Sequence, residues 1–189
     1  MSAAEICNCS GEPKGHFASR RSVVAAFACT IVLPAMSRFA QGAAVADDER
    51  FMRIALEEAR QASFPFGAVI VRDGQLIARG RNLNRATDDP TAHGEMVAIH
   101  RCLAVYDRSV LVGSTLYTTG EPCAMCMGAI LWCRFGRLVF AASVEQLATR
   151  MDQIMISSAE LARRAPFAPI EITGGVLAEE AMALFPPRK

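Results

Sequence analysis

The stretch that runs from His93-Gly94-Glu95 to Pro122-Cys123-Ala124-Met125-Cys126 constrains this chain more than any other part of it. One imidazole and two thiols make up a tetrahedral zinc set that is one ligand short, and three protein ligands leave the fourth position to water. Two segments well separated in sequence must therefore meet at one point. Pro122 suits the first position of a helix, which puts Cys123 and Cys126 in its opening turn, where the dipole favours the thiolates that a metal needs. Zinc held in this way lowers the pKa of a bound water toward neutrality. Glu95, two residues from His93, is placed to move that water's proton rather than to bind the ion. A CxxC pair alone is also the pattern of a redox couple or of half a structural zinc site, but neither of those has a use for His93 and Glu95 upstream.

Ahead of this region, Ser19-Arg20-Arg21-Ser22-Val23-Val24 leads into an uncharged run that reaches Met36, with Ala44-Val45-Ala46 beyond it. Paired arginines, an apolar run too short to span a bilayer and small residues at its end have the plan of a cleavable twin-arginine signal over residues 1–46. The expectation is a periplasmic or secreted protein with no membrane anchor once the signal is cut. The alternative is a start at Met36 or Met52 and a cytoplasmic protein. Cleavage after Ala46 removes four of the 20 basic and two of the 19 acidic residues, leaving 16 and 17 on residues 47–189. A balance of that kind advertises no basic patch, and nucleic acid is not an expected partner. Cys102 and Cys133 fall in apolar helical patterns and read as buried free thiols.

Residues 47–189 alternate helices and strands. Asp47 or Asp48 is placed to cap a helix carrying Phe51, Ile54, Ala55 and Ala59 on one face, which Pro65 stops. Phe66–Val71 and Leu76–Ala78 flank the hairpin turn Asp73-Gly74. A polar loop, Asn82–Pro90, precedes a helix that carries His93, Val97, Ala98 and Leu103. Ser114–Thr118 reads as a strand, Cys123–Cys133 as a helix and Leu138–Ala142 as a strand. The rest holds an amphipathic helical stretch, Gln146–Arg164, a short strand at Ile170–Thr173 and a last helix, Ala178–Leu184. Such alternation implies an α/β domain with its sheet sandwiched between helices.

Phe66-Gly67-Ala68-Val69-Ile70-Val71, Asp89-Pro90-Thr91-Ala92-His93-Gly94-Glu95 and Glu121-Pro122-Cys123-Ala124-Met125-Cys126-Met127-Gly128-Ala129-Ile130 resemble the cytidine deaminase-like superfamily, in its branch of guanine deaminases and tRNA adenosine deaminases. The resemblance covers roughly Asp47 to Ala142. It implies a three-layer α/β/α sandwich around a five-stranded mixed sheet, one zinc, a homodimer and hydrolytic deamination of a nucleobase or nucleoside. His93, Cys123 and Cys126 would then be the ligands and Glu95 the catalytic acid and base. Gly94 departs from the Ala usual in that family, which loosens the helix start without removing a catalytic group.

The resemblance also suggests substrate contacts. Asn82 lies where this branch uses an asparagine amide to hydrogen-bond the purine, although Asn82-Leu83-Asn84 also opens a loop in its own right. Phe66 and Trp132 match aromatic positions of guanine deaminases, where flat rings hold a planar base; plain packing is the other use of both. Pro65-Phe66-Gly67-Ala68 and Ile130-Leu131-Trp132, with the near-neutral charge, favour a small purine such as guanine. The alternative is a tRNA-specific adenosine deaminase. A protein that keeps the zinc and the fold only to bind a base is a third reading, and Glu95 speaks against it. After Ala142 the chain departs from both groups; Asp152 is the nearest acidic residue by position, but the match there carries no role over.

Overall fold

Alternating side chains along three strands divide the interior into two cores on opposite faces of one sheet. A computed structural model describes residues 34–188, with side chains described from Ala46 onward. Arg20, Arg21 and most of the apolar run of the expected export signal lie outside the described residues. The elements are α1 (Pro34–Arg60), β1 (Gly67–Arg72), β2 (Gln75–Arg81), α2 (Asn84–Thr87), α3 (Gly94–Leu103), β3 (Thr115–Gly120), α4 (Ala124–Trp132), β4 (Arg137–Ala142), α5 (Val144–Ala148), α6 (Ser158–Arg164), β5 (Glu171–Thr173) and α7 (Ala178–Met182). The sheet runs β2-β1-β3-β4-β5. Strand β1 is antiparallel to β2 and β3, whereas β3, β4 and β5 are parallel.

Ala68, Ile70, Leu116, Leu138 and Phe140 point into the core shared with α3, α4 and α6. Val69, Val71, Tyr117, Val139 and Ala141 point the other way, into the core under α1 and α7. This is the three-layer sandwich with a five-stranded mixed sheet. The Asp73-Gly74 turn has positive φ at both residues, 50° and 74°, as a two-residue hairpin connection needs. Gly80 on β2 marks a close approach: a Cβ there would collide with Gly94 O and Ala98 N, so the first turn of α3 rests directly on the sheet.

A short helix, α2, forms inside the expected Asn82–Pro90 loop, several strand and helix ends shift by a few residues, and three further differences bear on the core or the site. The first helix does not start at Asp47 or Asp48; α1 extends back to Pro34. Asp48 is instead 6% exposed and bound to the sheet: Arg137 donates to its two oxygens over 2.6 and 2.8 Å, and Tyr117 Oη donates over 2.9 Å. Burial and the neighbouring Asp48 carboxylate push the Tyr117 phenol far above its usual range. The second difference is at Pro122, which stands just outside α4, because Cys123 itself is the extended N-cap residue. The third is at Gln146–Arg164, where one helix was expected and two short ones form. Ser143 and Ser157 each cap a separate start, and residues 149–157 between the helices form a non-helical strap.

Candidate active site

Helices α3 and α4 begin at one point, each with a metal-ligand residue at its N-cap. His93 and Cys123 both take the extended conformation that an N-cap needs, and neither side chain makes a capping hydrogen bond. The groups that would cap the helices are turned toward each other instead. His93 Nδ1 lies 3.6 Å from Cys123 Sγ and 3.6 Å from Cys126 Sγ. All three ligand atoms fall within 4.8 Å of one another. A tetrahedral zinc ion with ordinary Zn–N and Zn–S bonds holds nitrogen and sulfur about 3.6 Å apart, so the spacing fits zinc without rearrangement.

The electrostatics of these side chains fit the same donor set. Hydrogen bonds from Cys126 and His93 hold the Cys123 thiol down at about 4. Cys126, bonded to that thiolate and buried, is pushed far up. His93 is raised by its hydrogen bond to Cys123. The three groups share protons that a divalent cation would displace. Glu95, in the first turn of α3, is 4% exposed, and burial raises its carboxyl above the usual range. Thr118 Oγ1 on β3 donates to Glu95 Oε1 over 3.2 Å and fixes its orientation.

A cavity of about 440 Å³ opens over these residues, a volume suited to a small molecule or one nucleoside. His93, Glu95, Cys123, Asn82 and Phe66, all singled out in the sequence, line it together. Asn82 is 2% exposed, and its Oδ1 accepts from Asn84 N over 3.2 Å. Among the described residues its Nδ2 has no acceptor, which leaves that donor for a ligand. Phe66 is half-buried; its ring lies 5.0 Å from Phe185 and 5.5 Å from Phe64, so the packing role and the pocket role coexist.

Trp132 is not brought to the cavity. It is 74% exposed at the far end of α4, with its ring 4.9 Å from Phe167 in a shallow apolar cleft between α4 and α6. A helix of nine residues carries its two ends well apart, and the start of α4 is at the His93–Cys123–Cys126 cluster. His100 is exposed on the last turn of α3 and takes no part. Cys102 and Cys133 are free thiols, one buried and one half-buried, and burial raises both.

The sequence reading missed three contributions. Thr118 looked like an ordinary strand residue. Met151, Gln153 and Ile154 line the cavity from the strap, together with Asp152, which the sequence reading named by position without a role. Glu121, also at the cavity, is buried although it stands next to the motif proline.

The profile of the cytidine and deoxycytidylate deaminase zinc-binding region matches residues 45–142. The tRNA-specific adenosine deaminase of Haemophilus influenzae is 41% identical over 138 residues, which are 70% of this chain and 78% of that protein. The guanine deaminase of Bacillus subtilis is 49% identical over 78 residues, 41% of this chain and half of that one. A solved structure from studies of A-to-I editing by tRNA:A34 deaminases superposes with a TM-score of 0.61 at 34% identity, covering 72% of this chain and 99% of that one.

Proposed function

The chain belongs to the cytidine and deoxycytidylate deaminase family of zinc-dependent hydrolases, and from that premise we propose that its substrate is an adenosine presented by an RNA of the tRNA type. The observation that carries this reading is the alignment with the Haemophilus enzyme, which extends over most of that protein's length, whereas the guanine deaminase match stops at half. The position of Trp132 supports it as well. The preference for guanine drawn from the sequence leaned on two aromatic residues, and one of them lies outside the cavity. An adjoining groove that shares Phe64 with the cavity carries Arg60 and Arg85, both exposed, so cations stand beside the site despite the near-neutral whole-chain balance.

His93, Cys123 and Cys126 would hold the ion. Zinc supplies a water of lowered pKa. Asn82 Nδ2 donates to a ring nitrogen of the base and sets its orientation, while Phe66 lies against its face. Glu95 would take a proton from the attacking water and pass it to the ring nitrogen, then take the second proton from the newly added hydroxyl and pass it to the departing amine, which leaves as ammonia. Burial suits Glu95 to this exchange, because a carboxyl raised toward neutrality gives and takes protons with little cost.

Guanine remains the second reading on one observation: Asp152, an exposed carboxylate on the cavity rim, suits the N–H groups of guanine better than adenine. An anticodon stem-loop RNA with adenosine at the wobble position, assayed beside free guanine, adenine, adenosine and cytidine, separates the two. Inosine in the RNA with little ammonia from free guanine is the expected result. Guanine turnover with the RNA untouched would overturn the proposal in favour of the second reading.

A further inference from the structure

Glu121 stands two residues before the ligand Cys123, and its side chain is bound by the backbone of α5 and α6. The residue is 7% exposed, and among the described residues no cation pairs with its carboxylate. Both oxygens are used by backbone: Val144 N donates to Oε2 over 2.9 Å and Ser158 N donates to Oε1 over 2.7 Å. These donors are the first residues of α5 and α6, so one side chain ties together the starts of the two helices that flank the strap bringing Met151, Asp152, Gln153 and Ile154 to the cavity. Nothing else seen at Ser158 replaces that bond; its Oγ is buried without a partner.

We propose that Glu121 is a positioning residue that locks the substrate-facing strap to the metal-binding segment, so that substrate affinity, rather than the chemical step or zinc retention, depends on it. A buried carboxylate with two N–H donors and no counter-ion costs desolvation energy that an apolar residue would avoid. Its use here is geometric: it sets the distance between the rim residues and the ion by two short bonds through one rigid group. Strap residues Ile154, Met155 and Ile156 are exposed and supply little packing of their own. The inference rests on the reading of this cavity as the substrate site.

Two variants test it. Glu121→Gln replaces one acceptor by an N–H group that faces another N–H. Ser158→Pro deletes one of the two donors without touching Glu121, at the first position of a helix and after an extended residue, where proline is tolerated. Zinc content, kcat and KM on the stem-loop RNA, and tryptic cutting after Arg150 within the strap, are measured on the full chain. The expected result for both is zinc at the wild-type level, kcat within about twofold, KM raised about tenfold or more, and faster cutting after Arg150. Unchanged KM and cutting in both would overturn the proposal, as would a collapse of kcat with loss of zinc. If the wild type turns over none of the offered bases, the substrate reading fails by itself; unchanged cutting after Arg150 still overturns the lock, and faster cutting supports it.

Discussion

Thr118 Oγ1 donates to Glu95 Oε1 over 3.2 Å, from the centre of the sheet to the first turn of the helix that His93 caps. Thr118 is fully buried, so the bond is shielded from water. It aims a carboxylate that has to face both the water and the base.

Thr118→Val keeps the shape and removes the donor. A hydrogen bond to a charged group is worth about 1.5–3 kcal/mol, so kcat should fall about ten- to a hundredfold while zinc content stays at the wild-type level. Glu95→Gln should abolish turnover, again with zinc retained. Metal analysis and steady-state kinetics on the two variants check both statements, and loss of zinc in Thr118→Val would contradict them.

The metal is the second prediction. His93, Cys123 and Cys126 hold their donors at the spacing of a tetrahedral ion, so purified protein should carry one zinc per chain. Cys123→Ser should lose zinc and activity together. A chelator should do the same to the wild type, and added zinc should restore turnover. A Cys123–Cys126 disulfide in metal-free, inactive protein that zinc does not rescue would count against the site.

The Cys123 thiol, held at about 4 by its hydrogen bonds, gives a pH signature once the metal is stripped. A thiol depressed this far is ionised throughout the neutral range, so alkylation of Cys123 should be nearly independent of pH above about 5. Cys102 and Cys133, whose thiols burial raises, should react slowly and faster as pH rises. The sign for stability follows from the same depression. The contribution of the Cys123 thiolate to the metal-free fold is complete above the ordinary thiol value of 9.0 and is lost as pH falls through about 4. Mass spectrometry of iodoacetamide-treated protein across pH reads the labelling, and zinc should protect Cys123.

Much of this architecture is legible in the residues, and the exceptions have physical reasons. His93, Glu95, Cys123 and Cys126 declare themselves because metal chemistry allows few residue types at few spacings. Asp73-Gly74 does so because few dipeptides accept positive φ at both positions. Trp132 misleads because its type suits a base, while its place, two turns along α4 from the ion, is decided by which way that helix runs. The strap at residues 149–157 hides inside a pattern with helical periodicity; Ser157 as a second cap and the distant Glu121 break it, and a partner 37 residues away leaves no local mark. Thr118 and Glu121 are invisible for the same reason, since a strand threonine and a glutamate before proline gain their roles only from tertiary contacts.

Asp48 anchors the start of the folded domain to the sheet. Its carboxylate is bound by Arg137 and Tyr117, and the side chains of Asp48 and Arg137 are 8% and 23% exposed. Asp48→Asn should cost about 2–4 kcal/mol, less than a wholly buried pair because Arg137 keeps some contact with water. Residues 47–189 retain this clamp, as does a chain that starts at Met36. A chain starting at Met52 lacks it and also loses Phe51, whose ring lies 5.3 Å from that of Tyr117. Urea midpoints of the 47–189 and 52–189 proteins should therefore differ by at least as much as Asp48→Asn changes the longer one.

The last prediction separates the two aromatic residues that the sequence offered together. Phe66 lines the cavity beside Glu95, and a lost stacking partner for a base costs about 1–3 kcal/mol, so Phe66→Leu should raise KM about five- to a hundredfold. Leucine keeps most of the contact with Phe64 and Phe185 and limits the loss of stability. Trp132 is 74% exposed and packs on Phe167 outside the cavity, so Trp132→Ala should leave KM within about twofold in the monomeric protein. Both variants are to be measured at several protein concentrations, with the oligomeric state followed by sedimentation. A KM that rises in Trp132→Ala only where wild-type chains associate would mean that the tryptophan reaches a cavity in a second copy of the chain rather than its own.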